Sequence, residues 1–208
     1  TDEVTPGNVM RPDNRRKHHA IFASFLEFGK YLSKTSAWVP VAVLRSDLSR
    51  YEIAGGVSAA ARYLLHAIFT GPRSLSRVGV FLDCKQPVML VALCGRVIAD
   101  GDALRQLWDL KGASGSVPCF MCKNCVMDRC WRANDPTGYL VGLDCADIRK
   151  LDIASDSDIW EKLDILKEAK ECMNIGQFKD LEQALGMKYN AKGLLADCLL
   201  YTSPSPRD

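Results

Sequence analysis

PVMLVALCGRVIADG (residues 87–101) joins an apolar run to a carboxylate and a glycine. A short apolar stretch bounded by Pro87 and Gly101 reads as a buried strand, Val88–Ile98. Asp102–Leu110 follows with helical composition and stops at Gly112. A strand that delivers a carboxylate into a helix is an α/β signal, and open α/β sheets place their chemistry at the carboxyl ends of strands. Asp100 is therefore a candidate functional carboxylate. The plainer role for an aspartate at this point is a helix cap. Asp83, also at a strand end, and Asp102 compete with it.

Working towards the amino terminus, Val78–Leu82 reads as a further strand, separated from Val88–Ile98 by Asp83–Pro87 and paired with it as a hairpin. Gly55-Gly56 opens a helix in which Val57, Ala60, Ala61, Leu64, Leu65 and Ile68 recur three and four apart, and Gly71-Pro72 ends it. Trp38–Leu44 (WVPVAVL) is short and β-branched, a strand that Pro40 pushes towards an edge or a bulge. Ala20–Phe28 is apolar and aromatic, a buried strand or a short helix. The order of strands, crossover helix and strand fits a mixed sheet with helical crossovers.

Towards the carboxyl terminus, PCFMCKNCVMDRC places Cys119, Cys122, Cys125 and Cys130 within twelve residues. A tetrahedral zinc site takes four thiolate or imidazole ligands, and a two-residue spacer lets one turn present two sulfurs to one ion. Cys119 and Cys122 form the first pair. The other two ligands come from Cys125, Cys130 and Cys145, since no histidine lies downstream. Two successive two-residue spacers also open a ferredoxin-type iron–sulfur run, but that run needs a three-residue third spacer followed by proline. Here the third spacer has four residues and Trp131 follows Cys130. Buried free thiols are the plain alternative. Asp158–Cys172 reads as a helix with a D-x-x-E start at Asp158 and Glu161, and Gln177–Leu185 as another. Cys172 reads as a helix-end thiol. Trp38, Trp108, Trp131 and Trp160 share no period and read as core or partly buried anchors. His66 reads as an ordinary helix residue.

The whole chain of 208 residues carries 48% apolar and 25% charged residues and a net charge of +2, which fits a globular protein and excludes general disorder. Its longest apolar stretch, Val88–Cys94, has seven residues, far from a membrane span. Thr1–Val4 lacks the basic start and apolar run of a secretory signal. Nine cysteines, an odd number, then fit a reducing intracellular compartment, where clustered cysteines bind metal more often than they form disulfides. Residues 11–19 hold four cations, and Arg15, Arg16 and Lys17 are candidate phosphate contacts, with a solvated basic loop as the plain alternative. Residues 144–182 hold eleven acids against six cations and read as solvated helix. Four segments are expected: a core over 1–112, a cysteine-rich knuckle over 113–146, a helical segment over 147–197, and a disordered tail over 198–208. The terminal YTSPSPRD looks like translated adapter sequence and is expected to be foreign to the fold.

Three stretches together carry a resemblance: DEVTPGNVMRPDNRRK, GGVSAAARYLLHAIF and IADGDALRQLWDLKGASGSVPCFMCKN. They resemble the catalytic region of cut-and-paste DNA transposases of the CACTA/Plavaka type. The later GLLAD, residues 193–197, also looks like such elements. The resemblance implies an RNase H-like mixed sheet, a zinc knuckle and a helical carboxyl-terminal part. It places the first catalytic aspartate of a D-E-x-x-P-G-N segment on Asp2 and the second on Asp100. Cys119 and Cys122 fall on a K-G-x-x-G-x-x-P-C-x-x-C-x-N knuckle. It implies Mg²⁺ or Mn²⁺ as catalytic ion, structural Zn²⁺, transposon-end DNA as partner and the nucleus as location. The pattern's third acidic residue lies farther downstream than this chain reaches, and the strand leading to Asp2 is a stub. The chain is therefore expected to be a fragment that is inactive by itself. A non-catalytic zinc-binding interaction module is the alternative function, and an iron–sulfur carrier the next.

Overall fold

β-Branched and aromatic residues around two histidines build the largest sheet. The computed structural model describes residues 2–4, 17–83, 85–119, 121–127 and 135–196. Strands β1 (Asp2–Val4), β2 (His18–Ala23) and β3 (Val39–Arg45) form an antiparallel sheet in that order, with Asp2 opposite Ala20 and Glu3 opposite His19. The β2–β3 ladder slips once: Ile21 faces Ala42, but Phe22 faces Pro40. The extra residue is a bulge at Val41, beside a proline that has no N–H to donate, on an outer strand of the sheet. The apolar run after β2 does not stay extended to Phe28. It winds into 3₁₀ turns over Leu26–Ser33, kinked at Gly29 (φ 51°), and Trp38 Nε1–H closes the loop by donating to the Leu32 carbonyl at 2.8 Å.

Helix α1 (Ser46–Tyr51) follows β3, and α2 (Gly56–Leu65) starts after Gly55, whose φ of 95° suits only glycine well. The helical path continues as one wider turn, His66–Thr70, where His66 Nδ1 and Thr70 Oγ1 bond. Ser58 is buried on α2 and its hydroxyl accepts from the Leu194 backbone N–H at 2.8 Å, which seats the fully buried Leu194 against the helix. Strands β4 (Val80–Leu82) and β5 (Val88–Leu90) pair as an antiparallel hairpin. The strand expected to run on to Asp100 stops at Leu90, and residues 91–100 form no ladder. Val91, Leu93 and Ile98 in that stretch are 56%, 57% and 69% exposed, so no layer covers the side chains that would stabilise a strand there. Helix α3 (Gly101–Leu107) buries Leu107.

Residues 1–107 with 192–208 form one compact unit and residues 108–191 a second. The second unit contains two short parallel strands, β6 (Cys125–Val126) and β7 (Val141–Gly142), and two helices, α4 (Asp156–Cys172) and α5 (Ile175–Leu185). Helix α4 begins two residues earlier than its D-x-x-E reading because Ser155 is the N-cap: Ser155 and Asp158 bond reciprocally as a capping box. Asn174 caps α5. The knuckle stretch over 113–146 and residues 147–191 of the helical stretch lie in one unit, where Lys111 N–H donates to Gly186 O and Ser116 N–H to Gln183 O, both at 2.9 Å, while residues 192–197 fall in the first unit. The chain is thus mixed α/β, with small sheets and several helices. Among the described residues no helix is long and apolar enough to cross a membrane.

Candidate metal centre

The knuckle is built from residue types that tolerate close approach. Gly186 ends α5 in the left-handed region (φ 72°), and a Cβ there would collide with the Val117 carbonyl. A Cβ on Gly115 would sit 2.9 Å from Lys111 Cβ and 3.2 Å from Gly186 Cα. The two glycines thus let the backbone entering the cysteine run lie against the end of α5. Lys111 adds an ion pair to Glu182 of α5 at 2.8 Å, with side chains only 13% and 12% exposed. The other Glu182 oxygen accepts from Tyr189 N–H at 2.9 Å.

Asn124 locks the centre. It is 2% exposed, its Nδ2 donates to Tyr139 O at 2.9 Å and Lys150 O at 2.8 Å, and its Oδ1 accepts from Asp152 N–H at 2.9 Å. Backbone bonds follow the same pattern: Val141 N–H to Asn124 O, Lys123 N–H to Asp152 O, and Ala154 N–H to Met121 O. One buried amide therefore ties three chain segments together, and leaving its partners unpaired costs about 1–3 kcal/mol per group. Sequence reasoning gave Asn124 no role beyond its place in the resembling motif. The signal was a lone amide between two cysteines, where a solvated residue had no need to be Asn.

The sulfurs gather on this scaffold. Cys122, Cys125 and Val141 are buried together, with Cys119, Cys145 and Leu151 packed against them. Cys119 and Cys122 Sγ lie 3.5 Å apart, and Cys145 Sγ lies 3.5 Å from Asp147 O. Burial, then the thiol of Cys119 and the charges of Cys119 and Cys125, push the Cys122 thiol up to about 11. Cys125 is raised by burial first and by Cys119 and Cys145 next. In the metal-free chain these groups are therefore neutral thiols, and any metal bound there must expel their protons, so uptake weakens as pH falls. Lys162 of α4 is half-buried; desolvation lowers its amine, and Asp158 and Cys119 oppose that shift. Tyr139 Oη donates to Asp152 at 2.5 Å, and that bond, followed by burial, pushes the phenol up to about 12. Among the described residues no group of three or more His, Cys, Asp or Glu side chains is already arranged to hold a metal ion.

No protein family, curated protein or solved structure matches this chain. The remaining expected site residues fall as follows. Cys130, Trp131, Arg15 and Arg16 lie outside the described residues, as does the side chain of Asp2; the Asp2 backbone sits on β1 at an edge of the described sheet. Lys17 leads into β2, and its carbonyl accepts from Ser46 N–H at 2.9 Å. Asp100 is exposed and its Oδ1 accepts from Ala103 N–H at 2.7 Å, so this carboxylate serves α3 as a cap. Asp102 is bonded by Arg105 and Gln106, which hold its carboxyl below the ordinary range, and His19 of β2 adds a smaller attraction.

Proposed function

We propose that this chain is part of the catalytic region of a cut-and-paste DNA transposase with an RNase H-like sheet, in which residues 108–191 act as a zinc-stapled knuckle. One observation carries the reading. Each position of the K-G-x-x-G-x-x-P-C-x-x-C-x-N pattern that can be assigned a contact has structural work to perform. Lys111 pairs with Glu182, Gly115 admits Gly186, Cys119 and Cys122 approach each other, and Asn124 ties three segments. A pattern matched by accident would leave some of these residues in solvent with nothing to do. Zinc, when bound, supplies a cross-link between the strands of the knuckle and no chemistry on DNA.

In the intact enzyme Asp2 and Asp100 would hold Mg²⁺ or Mn²⁺, and such an ion would supply activation of a hydroxyl nucleophile for attack on a phosphodiester bond. For that, the two carboxylates must be neighbours. The sheet order β1-β2-β3 leaves one side of β1 unpaired among the described residues, but residues 91–100 form no ladder, so in this reading Asp100 has to reach the metal from the stretch that leads into α3 and not from a strand end. Arg15, Arg16 and Lys17 precede β2 and steer the DNA backbone. The resembling pattern needs a third carboxylate besides Asp2 and Asp100 for cleavage.

A second reading, a zinc-binding interaction module without catalysis, is favoured by Asp100 serving as a cap. A labelled duplex titrated with this chain at rising salt, beside a Mg²⁺/Mn²⁺ cleavage assay, separates the two. Three phosphate contacts give a salt slope near −3, from about −0.9 per phosphate. Absence of any duplex binding at low salt favours the interaction module. Metal-dependent cleavage abolished by Asp100→Asn shows instead that the carboxylate set is already complete here.

A further inference from the structure

We propose that a single zinc ion is held by Cys119, Cys122, Cys125 and Cys145, with Cys145 and not Cys130 closing the site. The assignment rests on the reading of residues 108–191 as a zinc-bearing knuckle. Its first support is co-location: Cys119 and Cys145 pack against the buried pair Cys122 and Cys125. The spacing within the first pair also suits zinc. Sulfurs about 2.3 Å from a tetrahedral ion stand about 3.8 Å from one another, and Cys119 and Cys122 already stand 3.5 Å apart.

The second support is the scaffold under Cys145. Parallel pairing sets Cys125 beside Val141 and Val126 beside Gly142, and Cys145 N–H donates to Gly142 O at 3.1 Å. Asn124 independently grips Tyr139 O. The segment bearing Cys145 is thus fixed against the segment bearing Cys122 and Cys125 by hydrogen bonds that owe nothing to a metal. The four thiols still have to turn their sulfurs onto one point, and each does so about a single χ1 torsion with staggered wells. Lys162 stands near enough to Cys119 to interact with its charge, and a cation there offsets the excess negative charge of a four-thiolate zinc. Four thiolates fill a structural zinc site, which leaves Cys130 no place in it.

The test uses the full chain, loaded with Zn²⁺ and then stripped with chelator. Iodoacetamide labelling is read peptide by peptide, with the exposed Cys172 as internal reference. Zinc is expected to protect Cys119, Cys122, Cys125 and Cys145 and to leave the labelling rate of Cys130, like that of Cys172, unchanged. Cys145→Ser is expected to lose the bound zinc and Cys130→Ser to keep it. If Cys145→Ser precipitates, the protection pattern of the unaltered chain decides alone. Zinc bound with Cys130 protected and Cys145 open overturns this assignment and leaves the zinc knuckle standing. A chain that takes up no zinc overturns both.

Discussion

The two compact units differ in how well their apolar side chains are covered. In the first, residues 1–107 with 192–208, apolar surface is plentiful and poorly covered. Phe81, Val91, Leu93 and Ile98 are all more than half exposed, and burial rests on small or isolated residues such as Ala20, Ala61, Leu107 and Leu194. Residues 108–191 bury more apolar side chains, among them Leu110, Val126, Val141, Leu166 and Met187, and tie them with polar contacts across the unit, Asn124 bonding Tyr139, Lys150 and Asp152 and Lys111 pairing with Glu182. Uncovered apolar surface forgoes about 25 cal/mol per Å², whereas a buried polar lock is stabilising only while every partner is present. The first unit should therefore tolerate single substitutions, and the second should fail abruptly.

Substitutions that break one unit and spare the other sharpen this contrast. The largest effect is expected for Lys111→Met, which leaves the largely buried Glu182 carboxylate without its cation and should destabilise residues 108–191 by about 3 kcal/mol. Adding Glu182→Leu should recover much of the loss, and denaturant unfolding of the unaltered chain, the single variant and the double variant reads both. Gly186→Ala forces a left-handed alanine against the Val117 carbonyl and is expected to cost about 2 kcal/mol or more, again seen only in amides of the second unit by hydrogen exchange. Asp100→Ala removes the α3 cap and should cost about 1 kcal/mol, confined to the first unit. Phe81→Thr is the smallest: an exposed hairpin residue, changing stability by no more than about 0.5 kcal/mol, with a gain in solubility that light scattering measures. A large loss of stability in Phe81→Thr would mean that the hairpin is covered, and the contrast between units would collapse.

Local signals were legible and long-range ones were not. The α2 stripe, the β3 strand with its proline at an irregularity, the β4–β5 hairpin and both late helices follow from periodicity, β-branching and turn residues within each segment. The run to Asp100 misled because apolar character sets strand propensity but not a partner, and residues 91–100 have no ladder. The capping box shifted from Asp158 to Ser155 because serine and aspartate both cap, and only the backbone geometry chooses. For the metal centre, the Cys119/Cys122 pair was plain from spacing. The company of Cys145 was not, since it depends on a parallel pairing of β6 with β7 and on an amide reaching Tyr139 and Lys150. Contacts across such separations carry no local period.

The central claim is that the clustered thiols of Cys119, Cys122, Cys125 and Cys145 form a zinc staple for the second unit. Elemental analysis of the full chain, purified without chelator, tests it most directly. About one zinc per chain is expected, as a four-thiolate structural site requires, and its removal should release the amides of residues 121–127 and 135–145 to exchange. A metal-free chain whose second unit is fully protected from exchange would contradict the account.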